Sequence, residues 1–338
     1  MLKCKQKIHI TLYEGSRTFF KVMIMLYNKP PFNITEQLDN LKSKSLIISD
    51  SDKAEHYLST VSYARLSIYF SPFYEIGSTN FKDGTTFEHI INLYSFDRAL
   101  RITTLEALEQ IEIAVRSVIS NHMSITYNDA FWYTNVTLFS NQQNHKEFLK
   151  FCQRNAGRNV FFAYDKKSNK EIVKSSDKNK NTELYTFYDK YENKLPPSWL
   201  LAEALPMGSW SKLYANLKES KDKRQIAKVF GFLLNDFESW LRLITLYRNC
   251  IAHHRRFWNE DFSSFSPKNE KRYLTDCGSV EKIYKNYLVI FRLLQSVTDK
   301  SDWKEKLRNT LEQCPFDIHT HMNFPVDWDK LEFWTKLD

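Results

Sequence analysis

Asp236-Phe-Glu-Ser-Trp-Leu-Arg-Leu-Ile-Thr-Leu-Tyr-Arg-Asn-Cys-Ile-Ala-His-His-Arg-Arg-Phe-Trp258 combines a strong helical period with a dense cluster of polar chemistry. Asn235 and Asp236 are both residues that cap helix N-termini, and Glu238 places a further carboxylate at the positive end of the helix. Phe237, Trp240, Leu241, Ile244, Tyr247 and Ile251 then recur at helical spacing and form a broad apolar stripe. Arg248-Asn249-x-x-x-His253 stands off that stripe. Asn249 and His253 share one face, and Arg248 lies about 7.5 Å along the axis from His253 at ~1.5 Å per residue.

An imidazole titrates near neutral pH, so it can take a proton from a ribose 2′-OH or give one to a leaving 5′-oxygen. A guanidinium stays charged, grips phosphate oxygens in a fork and stabilises added negative charge in a transition state. This chemistry needs no metal or other cofactor, and it is confined to RNA because the attacking group belongs to the substrate. A structural alternative stands beside it, with Arg248 in a salt bridge and His253 in a surface hydrogen bond at the helix end.

A chain of 338 residues with 42% hydrophobic content can bury a large core. Seven glycines, few turn dipeptides and long helical periods argue against an all-β fold. The formal charge of +8 favours an anionic partner. Five scattered cysteines without a CxxC pair suit reduced cytoplasmic thiols and argue against a disulfide framework or a zinc site. His319-x-His321 lacks acidic or cysteine neighbours at ligand spacing, so no metal is expected there. No apolar run approaches the ~20 residues that span a bilayer, so the expected location is the cytoplasm, away from membranes.

Taken in order, residues 1–26 lack a clear period and form an N-terminal extension, read either as a short strand or arm or as a stretch upstream of a true start at Met23 or Met25. Residues 27–84 form an N-terminal helical subdomain, with capping signals at Asn33-Ile-Thr-Glu36 and at Asp50. The second cap opens a helical stretch through Ala54 that runs to Phe70. The remainder, 85–338, is the main helical domain. Its first helix runs from Phe87 to about Met123, carrying Asp97/Arg101 and Glu112/Arg116 as i,i+4 ion pairs. Arg116 and His122 repeat an Arg-x5-His pattern, either a second half-site or a structural pair with a helix-end cation. Residues 165–181, with six lysines against three acids, read as a flexible insert loop. The fold class is all-α and bundle-like.

Several stretches together resemble one family. They are Tyr27-Asn-Lys-Pro-Pro31, Ala54-Glu-His-Tyr-Leu58, Phe96-Asp-Arg-x-Leu-Arg101, Ile111-Glu-Ile-Ala-Val-Arg116, Leu195-Pro-Pro-Ser-Trp199, Arg248-Asn-Cys-Ile-Ala-His-His-Arg-Arg-Phe-Trp-Asn259 and Phe324-Pro-Val-Asp-Trp328. In this order they are similar to the Abi family of bacterial abortive-infection proteins, of the AbiD/AbiF-like group. The resemblance implies a HEPN-like helical bundle, an antiphage or toxin role, and metal-independent endoribonuclease activity at an Arg-x4-His site. Carried over, Arg248, Asn249 and His253 are the catalytic candidates, with His254, Arg116 and His122 as further ones. Arg255 and Arg256, directly after the motif, are expected to bind RNA. The expected partners are RNA, a second copy of the chain in a homodimer that brings two motifs together, and an RNA or protein antitoxin. A non-catalytic RNA-binding protein is the competing expectation, and a helical adaptor a third.

Overall fold

The computed structural model describes residues 9–10, 23–24, 30–156, 160–165, 170–175, 183–260, 262, 267–278 and 282–335. Its helical character agrees with the all-α expectation. The chain divides into two compact units, 1–91 and 92–338. The sequence placed its join at 84/85, whereas the division falls inside a continuous helix.

In the first unit, His9–Ile10 (β1) pairs antiparallel with Met23–Ile24 (β2), and the rest of the 1–26 extension lies outside the described residues. Helix α1 (Ile34–Ser43) starts at Asn33 with the capping box read from the sequence: Asn33 accepts from the Glu36 amide and Glu36 accepts from the Asn33 amide. Asp50 caps α2 (Ser51–Thr60). The helix expected to continue from Ala54 to Phe70 breaks instead at Ser62. That residue takes φ 81° and turns its hydroxyl to the Arg65 amide, so that a new helix, α3 (Tyr63–Ser67), begins. Serine's side chain competes for backbone hydrogen bonds, which favours a cap over a helix interior. Phe70 packs among Tyr63, Tyr74 and Phe81 and closes this small core.

Helix α4 (Phe87–Tyr127) runs 41 residues, one turn beyond its expected end. In the second unit there follow α5 (Gln142–Ala156), a hairpin of β3 (Val160–Asp165) and β4 (Lys170–Ser175), α6 (Glu183–Lys190), α7 (Ser198–Ala204), α8 (Met207–Asn216) and α9 (Ser220–Val229). After these come α10 (Leu234–Ala252), α11 (Glu270–Tyr273), α12 (Lys282–Leu294), α13 (Trp303–Leu311), α14 (Ile318–Met322) and α15 (Glu332–Thr335). The β3–β4 ladder runs from Val160↔Ser175 to Asp165↔Lys170 and corrects the reading of 165–181 as an insert loop throughout. Most of β3 precedes that stretch, so its pairing partner was invisible within it. The rest of the insert, 166–169 and 176–181, lies outside the described residues.

Helix α10 is the centre of the second unit. Its expected stripe is buried in full, and Leu243 and Cys250 are buried as well. Phe237 stacks on Phe230 and meets Tyr214 edge-on, while Phe232 covers Trp240. The Tyr247 hydroxyl donates to Asn286 Oδ1 at 2.7 Å, which ties α10 to α12. At Gly208 an added Cβ would lie 3.3 Å from Thr245 Cγ2, so α8 and α10 approach at backbone range.

The helix begins differently from its sequence reading. Leu233 occupies the N-cap without a side-chain cap, and Asp236 is buried inside the first turn. Its carboxylate accepts from Asn269 Nδ2 at 2.7 Å and the Tyr273 hydroxyl at 2.6 Å. Asp236 therefore fastens α10 to the α11 turn.

Candidate functional site

The motif lies where α10 ends, and the ending has a definite geometry. His253 is the C-cap, His254 takes the left-handed conformation at φ 55°, and the chain then leaves the helix axis. The His254 amide donates to Ile251 O at 2.9 Å and the Arg255 amide to Cys250 O at 2.9 Å. These paired bonds, crossing from the residues after the cap to the last turn, form a Schellman closure, in which glycine is the usual left-handed residue. A histidine there costs about 1–2 kcal/mol in backbone strain. The closure fixes where the helix stops, and so holds His253 at its exposed end.

Asp97 on α4 holds the segment after this closure. It is fully buried, and one carboxylate oxygen accepts from the amides of Phe257 (3.0 Å) and Trp258 (2.6 Å). The other oxygen pairs with Arg101, whose guanidinium also reaches the Arg255 carbonyl at 3.5 Å. Phe257 then packs on Tyr247 and Tyr287, and Trp258 stacks on Phe316 and His321. Both aromatic side chains are buried within the chain, so neither is left over to form a contact with a second copy.

A second buried carboxylate on α4 holds Arg248. Glu112 Oε2 accepts from Arg248 Nε at 3.2 Å, while Oε1 accepts from the Met207 amide at 3.0 Å and lies 3.8 Å from Arg116 Nη1. Arg116 in turn donates to the carbonyls of Ala202 and Leu205. The three side chains sum to one positive charge. Arg248 is gripped through Nε, on one edge of its guanidinium, and keeps 31% of its side chain exposed. The salt bridge foreseen by the structural alternative is thus present, in a form that orients the fork.

Asn249 and His253 stand one turn apart, joined by the His253 amide donating to the Asn249 carbonyl at 3.0 Å. Both are exposed, and neither side chain has a hydrogen-bond partner among the described residues. Cys250, between Arg248 and His253, faces inward and donates to Arg256 O at 3.7 Å; burial pushes its thiol up to about 11. Arg255 and Arg256 both lie 3.6 Å from Glu260, which offsets part of the positive patch they were expected to form.

Arg116 and His122 are not brought together as a second exposed pair. Arg116 belongs to the Glu112 cluster, and His122 Nε2 lies 3.2 Å from Asp222 Oδ1. Asp222 also accepts from the Tyr127 hydroxyl at 2.6 Å; burial first, then this bond, pushes that phenol up to about 12. His122 is not a helix-end residue, since α4 continues past it to Tyr127. His319 Nδ1 donates to Phe324 O at 2.7 Å and His321 Nδ1 to Asp317 O at 3.1 Å. Among the described residues, no group of three or more His, Cys, Asp or Glu is placed to hold a metal ion. No helix among them is long and apolar enough to cross a membrane.

By spacing alone Asp97 pairs with Arg101 and Glu112 with Arg116 along one helix, and their contacts with the 255–258 segment and Arg248 went unread. A signal was present: Asp97 follows Leu93 by four and precedes Leu100 by three, and Glu112 stands likewise between Leu108 and Val115. Carboxylates on the buried stripe of a helix must be paired, and such partners come from elsewhere in the fold.

No curated protein and no solved structure matches the chain. The family model described as Abi-like protein matches residues 56–259. That span holds both halves of the site, the Asp97 and Glu112 clusters of α4 and the whole of Arg248–Asn259. By this match over more than half its length, the chain belongs to the Abi-like protein family.

Proposed function

We propose that this protein is an abortive-infection effector that cleaves RNA without a metal, through Arg248, Asn249 and His253 in a HEPN-like bundle. One observation carries the reading. Arg248 is fixed edge-on by a buried carboxylate, while the Asn249 amide and the His253 imidazole stand exposed on one face of the same rigid helix end. A purely structural arginine would have no need of an exposed histidine set beside it by a strained cap. In this reading Arg248 holds the scissile phosphate and offsets its growing charge, His253 moves the proton, and Asn249 orients the RNA. His254 shapes the cap, and Arg116 steadies Glu112.

Cleavage by 2′-OH attack needs a base on one side of the phosphate and an acid on the other. Each chain offers one His253, so the active form is a homodimer with the two α10 ends facing each other. Arg255 and Arg256 add phosphate contacts at the margin. Family membership supports the defence role, and an RNA or protein antitoxin is the expected restraint in uninfected cells.

The test is inducible expression in a bacterial host, with RNA ends mapped before and after phage challenge. New 2′,3′-cyclic phosphate ends that appear with growth arrest support the reading. Growth arrest without new RNA ends favours the competing reading, an RNA-binding regulator that grips phosphate with the same residues.

A further inference from the structure

A cavity of about 730 Å³ opens between α5 and α8, and Asn249 lies on its lining. That size falls within the ~300–1,000 Å³ usual for small-ligand sites. One wall carries the half-buried rings of Phe148 and Phe151, one turn apart on α5. The other, on α8, sets Gly208, Ser209 and Ala215 among the larger Lys212, Leu213 and Asn216. Phe148 meets Tyr133 edge-on at 6.4 Å. Phe151, half-buried on the same lining, has no ring partner among the described residues. Exposed Arg154 and Lys212 supply two positive charges on the lining against one carboxylate, Glu147, which accepts from Gln143.

This combination of an aromatic platform, a slot and a cationic margin is how proteins hold single-stranded nucleic acid without reading its sequence. Asn249, one turn from His253 and next to Arg248, also lines the cavity. We infer that the α5–α8 cavity is a nucleotide subsite: it takes one base of single-stranded RNA against Phe151, with flanking phosphates on Lys212 and Arg154. The subsite rests on the ribonuclease reading above and deepens it, since it places the base next to the scissile phosphate. Stacking one base on Phe151 requires it to be unpaired, so the substrate class is single-stranded RNA, not duplex.

The probe is a fluorescein-labelled, fully 2′-O-methylated single-stranded RNA octamer, which lacks the attacking hydroxyl and stays intact. Binding by anisotropy is compared for wild type, Phe151→Ala, Phe151→Leu, Ser209→Phe and Lys212→Ala, each checked by thermal melting. Loss of one stacked base is expected to weaken binding by about five- to a hundredfold in Phe151→Ala and Phe151→Leu. Ser209→Phe, which fills the slot from the opposite wall, is expected to do the same without touching Phe151, and so covers the case in which the α5 variants fail to fold. Lys212→Ala should reduce the salt slope by about 0.7. A duplex of the same sequence should compete poorly.

Unchanged affinity in all folded variants, with RNA cleavage by the wild type intact, overturns the subsite and leaves the nuclease reading standing. No binding of the probe by the wild type also overturns the subsite. Whether unmodified RNA is cleaved then shows if the nuclease reading fell with it.

Discussion

Asp97→Ala removes the acceptor that pins the chain just beyond the motif. In the native fold one fully buried carboxylate serves two backbone amides, at 3.0 Å and 2.6 Å, and the Arg101 guanidinium. Truncation leaves a buried cation without its partner and two amides without an acceptor. Breaking a buried ion pair from one side costs about 3–5 kcal/mol. Each charged hydrogen bond is worth about 1.5–3 kcal/mol, but these overlap with that figure and do not add to it. Taking ~3–5 kcal/mol, and ~2–4 °C per kcal/mol for a folding unit of this size, the melting temperature should fall by about 10 °C. The assay is thermal melting of wild type, Asp97→Ala, Arg101→Leu and the double variant. Because much of the cost is a stranded charge, the double variant should lose clearly less than the sum of the singles. Asp97→Asn, which keeps one oxygen acceptor, should fall between. A single variant that melts within about 2 °C of wild type, or strictly additive losses, would show that Asp97 does not hold the 255–258 segment.

Three other outcomes follow from the same geometry. His254→Gly relieves the left-handed strain, less the extra freedom glycine gains when unfolded, so stability should be unchanged or rise by up to ~1 kcal/mol in a denaturant melt; a clear loss would refute the cap assignment. Burial raises the Cys250 thiol to about 11, so below that pH it stays protonated, and native protein at pH 8 should resist alkylation by iodoacetamide at this site in peptide mass spectra until denatured. Glu112→Gln keeps an acceptor for Arg248 Nε but frees the guanidinium to shift; cleavage is expected to drop about ten- to a hundredfold while RNA affinity holds or tightens, and an equal loss in both would argue against a positioning role.

Much of this architecture was legible in the sequence because local physics dominates there. The apolar stripe of α10, the Asn33 capping box and the Asp50 cap are each set by neighbouring residues, and each appears as read. What escaped depended on residues far apart in the chain. Asp236 reads as a cap by its type, yet the turn at Asn269 and Tyr273 recruits it inward. Phe257 and Trp258 look like spare aromatic surface until Tyr287 and Phe316 arrive from α12 and from the segment before α14. The β3–β4 hairpin was missed because a composition reading of the lysines separated its two strands. At the site, Arg248, Asn249 and His253 were visible as a spacing, but the orientation of Arg248 by Glu112 came only with the packing of α4 beside α10.

The central claim is that His253 and Arg248 act together on RNA. Purified wild type, Arg248→Ala, His253→Ala and the double variant should be incubated with end-labelled single-stranded RNA in excess EDTA, with a thermal melt recorded for each. The account predicts cleavage by the wild type to fragments ending in 2′,3′-cyclic phosphate, and rates at least ~10²-fold lower in each single variant. The double variant should be little worse than either, since the two groups act as a unit. His253→Ala should melt like wild type, its ring being exposed. Intact RNA with the wild type, or wild-type rates from a folded His253→Ala protein, would contradict the account.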